Sequence, residues 1–144
     1  MVNKFLSGQY SPGSVIKPII ALSALENKIV NQDYTHFCGG KIELYGQEFY
    51  CWKDGGHGKV NLRDAIKKSC DIYIYEIARL LGVDRIAETI RKFNFGQLTF
   101  KEFDEEKKGL VPDTKWKKNV VGKPWLLGET LITGIGQGYI LATP

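Results

Sequence analysis

Tyr10-Ser11-Pro12-Gly13-Ser14-Val15-Ile16-Lys17-Pro18 is the stretch that decides how the rest of the chain is read. A Pro-Gly pair marks a turn, a serine follows it, and a lysine stands three residues further on, in an apolar run. Three residues are nearly one helical turn, so the Ser14 hydroxyl and the Lys17 amine are expected on one face. That is the arrangement of a serine nucleophile with a lysine as candidate proton acceptor. Ser14 to about Glu26 reads as helix, and Pro18 is tolerated because first-turn amides have no intrahelical acceptor. Ile16, Ile19, Ile20 and Ala24 leave it apolar on most faces, which predicts a buried helix. Lys17 then has two readings. It snorkels to the surface, or burial leaves it a neutral amine able to take the serine proton.

The 144 residues suit one domain or one piece of a larger one, and at 43% hydrophobic they can build a core. The net charge of +4 is mild, and the lysines are scattered apart from Lys107-Lys108 and Lys117-Lys118. No basic stripe is interleaved with aromatics, which argues against nucleic-acid binding. No stretch approaches the ~18 apolar residues of a membrane span. Met1 to Ser7 is too short for a signal peptide, so an address outside the cytoplasm would lie outside this chain. Leu141-Ala142-Thr143-Pro144 reads as the start of a helix, with Thr143 as N-cap and Pro144 at the first helical position. A partial chain is the expectation.

Residues 28–60 read as a loop-rich insert with strand candidates at Lys41–Tyr45 and Gln47–Trp52, punctuated by Gly39-Gly40 and Gly55-Gly56. Too few aliphatics occur there to hold it together. Asn61 caps a helix with Asp64 at N3, and a second helix runs from Asp71 to Leu81, ending at Gly82. Asp84 caps a third, Arg85 to Phe93, closed by Asn94 and Gly96. Gln97 to Lys123 reads as a long surface connection. A short helix over Trp125–Thr133 leads into Gly134-Ile135-Gly136-Gln137-Gly138, whose spacing fits neither a dinucleotide fingerprint nor a phosphate loop. Phe37, Phe49, Trp52, Tyr73 and Tyr75 are expected in the core and the cleft wall.

Ser69-Cys70-Asp71 lies where two helical patterns meet. In one continuous helix, positions 69 and 71 point about 200° apart. A break, with Asp71 as N-cap of the following helix, turns both side chains toward one cleft; an interhelical turn with a capping aspartate is the plainer alternative. Ser-x-x-Lys opening a buried helix, then Ser-x-Asp at an interhelical turn, resembles the order in penicillin-recognising acyl transferases. Together with Ile72-Tyr73-Ile74-Tyr75, Trp116, Trp125-x-x-Gly128-Glu129-Thr130, the Gly134–Gly138 segment and Thr143-Pro144, the chain resembles the transpeptidase domain of class B penicillin-binding proteins. The elongation enzymes of the penicillin-binding protein 2 type are nearest.

The resemblance implies an α/β (α+β) fold like that of serine β-lactamases: a helical subdomain beside a five-stranded antiparallel sheet. Residues 1–144 are then a partial transpeptidase domain, chiefly helical, with most of the sheet missing. It implies a D,D-transpeptidase of peptidoglycan cross-linking, acting on stem peptides and acylated by β-lactams, at the periplasmic face of the bacterial inner membrane. Its partners would be membrane proteins of the elongation complex that sets cell shape, its anchor outside this chain. Ser14 would be the nucleophile and Lys17 its proton acceptor. Ser69 would bond Lys17 and relay a proton to the leaving group, and Gly136, Gln137 and Gly138 would form a wall at the rim. Asp71 stands where many relatives carry asparagine, and a carboxylate only accepts unless protonated. The family's Lys-Thr-Gly or Lys-Ser-Gly triplet does not occur in these 144 residues. A penicillin sensor or a β-lactamase-like relative shares the first motif, and a non-catalytic zinc-stabilised binding module is the rival of another class.

Cys38, Cys51, His57 and Cys70 form a Cys-x12-Cys-x5-His-x12-Cys pattern. Three thiolates and an imidazole complete a tetrahedral set for structural Zn2+, and some relatives resemble it in carrying such a site. One disulfide plus a spare thiol is the alternative. His36 is a reserve ligand. Zinc here would fasten the loop and tie it, through Cys70, to the second motif.

Overall fold

The computed structural model describes residues 10–93 and 109–142. Thr143, Pro144, Asn94, Gly96, the Lys107-Lys108 pair and the 97–108 part of the expected connection lie outside the described residues, as does the N-terminal stretch before Tyr10.

Helix α3, Asp71–Leu81, is the axis of the fold. Ile72, Tyr73, Ile74, Tyr75, Ile77, Ala78 and Leu81 are all buried, so the helix is covered on most sides. Each fully buried isoleucine contributes about 1.5–3 kcal/mol relative to exposure. Helix α1, Lys17–Glu26, follows a 3-10 turn at Gly13–Ile16 and buries Ile20, Ala21 and Ala24 against α3. Helix α2, Leu62–Lys67, is capped by Asn61, whose side chain accepts from the Asp64 amide at 2.9 Å. Helix α4, Val83–Arg91, turns Val83, Ile86, Ala87 and Ile90 inward while Asp84, Arg85 and Glu88 stay outside. A buried hydroxyl pair joins it to α1, with Thr89 Oγ1 donating to Ser23 Oγ at 2.8 Å. Helix α5, Thr114–Trp116, continues as a π-helical turn over Lys117–Val121, and α6, Leu127–Gly134, packs on α3. Gly134 lets the helices meet: a Cβ there would lie 2.8 Å from the Ala78 methyl.

Four short strands lie between α1 and α2. β1, Thr35–Cys38, pairs antiparallel with β4, Gly58–Asn61, and β2, Lys41–Leu44, with β3, Gln47–Tyr50. The β2–β3 turn places Tyr45 and Gly46 at φ of 55° and 72°, the two-residue hairpin geometry that needs left-handed backbone. The β2 and β3 candidates were legible; β1 and β4 were not, because each is four residues long and its partner lies beyond the hairpin.

Three sequence expectations are corrected. Cys70, extended at ψ 114°, is the N-cap of α3 and Asp71 its first residue, and the Asp71 carboxylate bonds Lys17 and the Trp52 amide. Asp84 does not cap α4, whose N-cap is Gly82; its carboxylate accepts from the Thr114 amide at 3.0 Å and hydroxyl at 2.9 Å. Residues 109–123 are not a surface connection throughout, since Val111 and Lys117 are buried and Leu110 bridges Leu141. Lys117 pairs with Glu129 beneath the rings of Tyr139 and Trp125.

Candidate active site

The turn that carries Ser14 is held by the glycine segment across from it. Gly13 sits at φ 60° and its amide donates to the Gly136 carbonyl at 2.9 Å. Gly136 has φ +75°, and a Cβ there would fall 2.1 Å from the Gly13 carbonyl oxygen. Only glycine permits that approach. The two backbones therefore fit face to face, leaving Ser14 exposed at the lip of an open cleft of ≈ 740 Å³. Ser69, Asp71, Phe49, Trp52, Tyr75 and Gln137 are among its other lining residues. Of the three rim residues expected from sequence, Gln137 lines the cleft, Gly136 abuts Gly13, and Gly138 lies against Ile132.

Lys17 does not snorkel: it is 2% exposed. Its Nζ donates to Ser69 Oγ at 3.0 Å, to the Ser69 carbonyl at 3.0 Å and to Asp71 Oδ1 at 2.5 Å. No bond from Lys17 to Ser14 Oγ accompanies these three among the described residues. Removing one partner of a buried ion pair costs about 3–5 kcal/mol, because the other charge is left uncompensated. The other Asp71 oxygen, Oδ2, accepts from the Trp52 amide at 2.9 Å. Both carboxylate oxygens thus face protein donors, so Asp71 is occupied in holding Lys17.

The break between α2 and α3 makes this convergence possible. Ser69 has φ 52°, a left-handed value uncommon for a residue with a Cβ. That reversal puts Ser69 and Asp71 on one side, which a continuous helix forbids.

Behind the turn, Cys38, Cys51, His57 and Cys70 place one ligand atom each within 4.8 Å of one another. The three cysteines are buried and free, with no disulfide. His57 Nδ1 lies 3.7 Å from Cys38 Sγ and 3.5 Å from Cys51 Sγ. Zn–S of about 2.3 Å and Zn–N of about 2.0–2.1 Å in a tetrahedron give an S···N edge of about 3.6 Å, so these spacings suit zinc. His57 Nε2 is the one buried side-chain nitrogen or oxygen without a hydrogen-bond partner among the described residues. His36 sits in β1 opposite Val60 and outside the cluster. Burial pushes the Cys70 thiol up to about 12, with the Cys38 and Cys51 sulfurs adding to it. Burial also raises Cys38, but the His57 and Gly40 amides and the neighbouring thiols outweigh it and leave its pKa below the ordinary cysteine value. Burial and the Lys53 and Lys68 charges depress His57.

Sequence reasoning underrated Trp52. It lies on the cleft wall and outside the core, 64% exposed as a residue, yet its indole N–H donates to the carbonyls of Lys68 at 3.0 Å and Ser69 at 2.9 Å. Phe37 is likewise exposed, whereas Phe49, Tyr73 and Tyr75 are buried. A tryptophan directly after a ligand-type cysteine was the available signal.

A family model described as the penicillin binding protein transpeptidase domain matches residues 1–144. The chain is similar to the peptidoglycan D,D-transpeptidase MrdA of Escherichia coli K12, 38% identical over 146 residues and covering 100% of this chain. The Acinetobacter baumannii protein of the same name is 39% identical, again over 100% of this chain. The chain spans 23% and 22% of the length of those relatives. Among solved structures, Pseudomonas aeruginosa PBP2 in complex with WCK 5153 superposes with a TM-score of 0.92 at 40% identity, covering 98% of this chain and 32% of that one. PBP2 in complex with MreC from Helicobacter pylori gives 0.92 at 39% identity, covering 99% and 27%.

Proposed function

The chain belongs to the penicillin-binding protein transpeptidase family, and we propose on that footing that it carries the acylating centre of a peptidoglycan D,D-transpeptidase. The observation behind the proposal is that Ser14, Ser69 and Asp71 line one cleft while the buried Lys17 bonds both Ser69 and Asp71. Ser14 Oγ attacks the carbonyl carbon of the D-Ala-D-Ala peptide bond of a donor stem peptide. A C–O bond forms, the C–N bond breaks, and the terminal D-Ala leaves with the proton that Ser14 gave up. Lys17 takes that proton as the neutral amine, having first released its extra proton to solvent, and Ser69 Oγ, bonded to Lys17 Nζ, passes a proton to the departing nitrogen. An acceptor amine then attacks the ester carbonyl; the new C–N bond forms, the C–O bond to Ser14 breaks, and one of the amine's own protons passes through Lys17 to Ser14 Oγ. A β-lactam opens its ring C–N bond on the same serine.

Asp71 in this scheme orients Lys17 rather than donating to substrate, since a carboxylate with both oxygens engaged has nothing to donate. Lys17 must turn from Asp71 toward Ser14 for the first step. The setting proposed is the periplasmic face of the bacterial inner membrane, among cell-wall elongation proteins, as the MreC complex of the Helicobacter relative suggests. No helix among the described residues is long and apolar enough to cross a membrane.

Zinc is proposed at Cys38, Cys51, His57 and Cys70 in a structural role. Four protein ligands close the coordination sphere, and the metal would fasten strands β1, β3 and β4 to the start of α3. Fluorescent penicillin labelling of the full-length gene product tests the acylating centre. Covalent label is expected, lost on Ser14→Ala and slowly released. An unlabelled wild type, or label retained by Ser14→Ala, overturns the assignment.

A further inference from the structure

The Lys17 network is held from outside by a residue that touches none of the reacting atoms. Trp52 sends three hydrogen bonds into the Ser69–Asp71 turn: amide to Asp71 Oδ2, and indole N–H to the Lys68 and Ser69 carbonyls. The Ser69 carbonyl oxygen is shared, accepting from Trp52 Nε1 at 2.9 Å and from Lys17 Nζ at 3.0 Å. Asp71 is shared in the same way, one oxygen to each. Ser69 also carries a left-handed φ of 52°, a conformation that persists only when its surroundings over-determine it. Those surroundings are Trp52 on one side and the cysteine cluster on the other, because Cys51 precedes Trp52 and Cys70 lies between Ser69 and Asp71. The Trp52 ring meets the His57 ring edge to face, with centroids 5.3 Å apart. A side chain 64% exposed gains little from burial, so its place here is set by these directional contacts.

We propose that Trp52 is a positioning residue for acylation, clamping the Ser69–Asp71 turn so that Asp71 and the Ser69 carbonyl hold the Lys17 amine behind Ser14. The proposal rests on the serine acyl-transfer reading above. Trp52→Phe keeps an aromatic ring and removes the indole donor. In the full-length gene product, Trp52→Phe is expected to slow the second-order acylation rate about ten- to a hundredfold, the scale of a small misplacement at a reacting centre. Melting temperature and metal content are expected to stay at the wild-type values. The pH profile of acylation is expected to shift, because the clamp sets the Lys17–Asp71 geometry. Trp52→Phe keeps the backbone amide bond to Asp71 Oδ2 and loses only the indole bonds to the Lys68 and Ser69 carbonyls. In a double-mutant cycle with Asp71→Asn the two losses are therefore expected to be less than additive, because the Ser69 carbonyl and Asp71 hold the same Lys17 amine.

A wild-type acylation rate in Trp52→Phe overturns the proposal. So does a rate loss that tracks a fall in melting temperature, or one that leaves the pH profile unmoved. Should Asp71→Asn fail to fold, the pH profile alone decides. Label on the wild type that Ser14→Ala abolishes leaves the acyl-transfer reading standing whatever Trp52→Phe does, whereas an unlabelled wild type overturns both.

Discussion

Gly136→Ala is the substitution whose effect the structure quantifies best. An alanine at φ +75° carries about 1–2 kcal/mol of left-handed strain. Its Cβ would sit 2.1 Å from the Gly13 carbonyl oxygen, whereas real Cβ atoms essentially never approach within 3.0 Å. Both contacting groups are backbone, so the turn before Ser14 must retreat by about 0.9 Å. The Gly13 to Gly136 hydrogen bond is then stretched, at a net cost of about 0.5–1.5 kcal/mol. Together these come to about 1.5–3.5 kcal/mol of stability. The larger effect is on chemistry, because a 1 Å misplacement of a reacting group is worth about a hundredfold in rate. Gly122→Ala is the matched control: its φ is +79° with nothing within 4 Å of the added methyl, so it carries the backbone strain alone. Urea denaturation and penicillin acylation of both variants, in the full-length gene product, separate the two contributions. Gly136→Ala acylating at the rate of Gly122→Ala would refute the idea that the glycine segment positions the nucleophile.

Two further outcomes are expected. Cys51→Ser should weaken zinc binding by more than the ~10–100-fold typical of outer-shell changes and lower the melting temperature; metal analysis and thermal melts check this, and zinc-free protein with a mapped Cys–Cys disulfide would sink the zinc assignment. Glu76, paired through both oxygens with Arg79 at 2.6 and 3.0 Å, has its carboxyl held below the usual value of 4.5 chiefly by that hydrogen bonding. A depressed native pKa means stability present above about pH 4.5 and lost as pH falls through the native value. The stability gap between wild type and Glu76→Gln should therefore close on acidification, and urea melts showing a constant or widening gap would contradict the pairing.

The local pattern of residues was enough for the elements whose stability is local. The Asn61 cap, the helical pattern of α1 and α3 and the end of α3 at Gly82 each depend on neighbours within a few positions. The proposed metal ligands and the proposed acylating residues were also nameable from the sequence, because chemistry restricts which residue types can serve. Their mutual geometry was not. Whether Lys17 reached the surface depended on Asp71, 54 positions away, and on the left-handed Ser69 that aims it. Asp84 and Asp71 both looked like helix caps, since a carboxylate at a helix start normally serves its own amides. Each was instead claimed by a distant donor, Thr114 in one case and Lys17 with Trp52 in the other. β1 and β4 were invisible because their hydrogen bonds join segments on either side of the β2–β3 hairpin. Gly136 was expected only as part of a wall at the rim, and its contact with the Gly13 backbone came from the structure. The sequence by itself determined that a serine and a lysine stand about one turn apart where a buried helix begins. Only the tertiary structure decided what faces the lysine, because that depends on contacts between residues far apart in the chain, which no local pattern encodes.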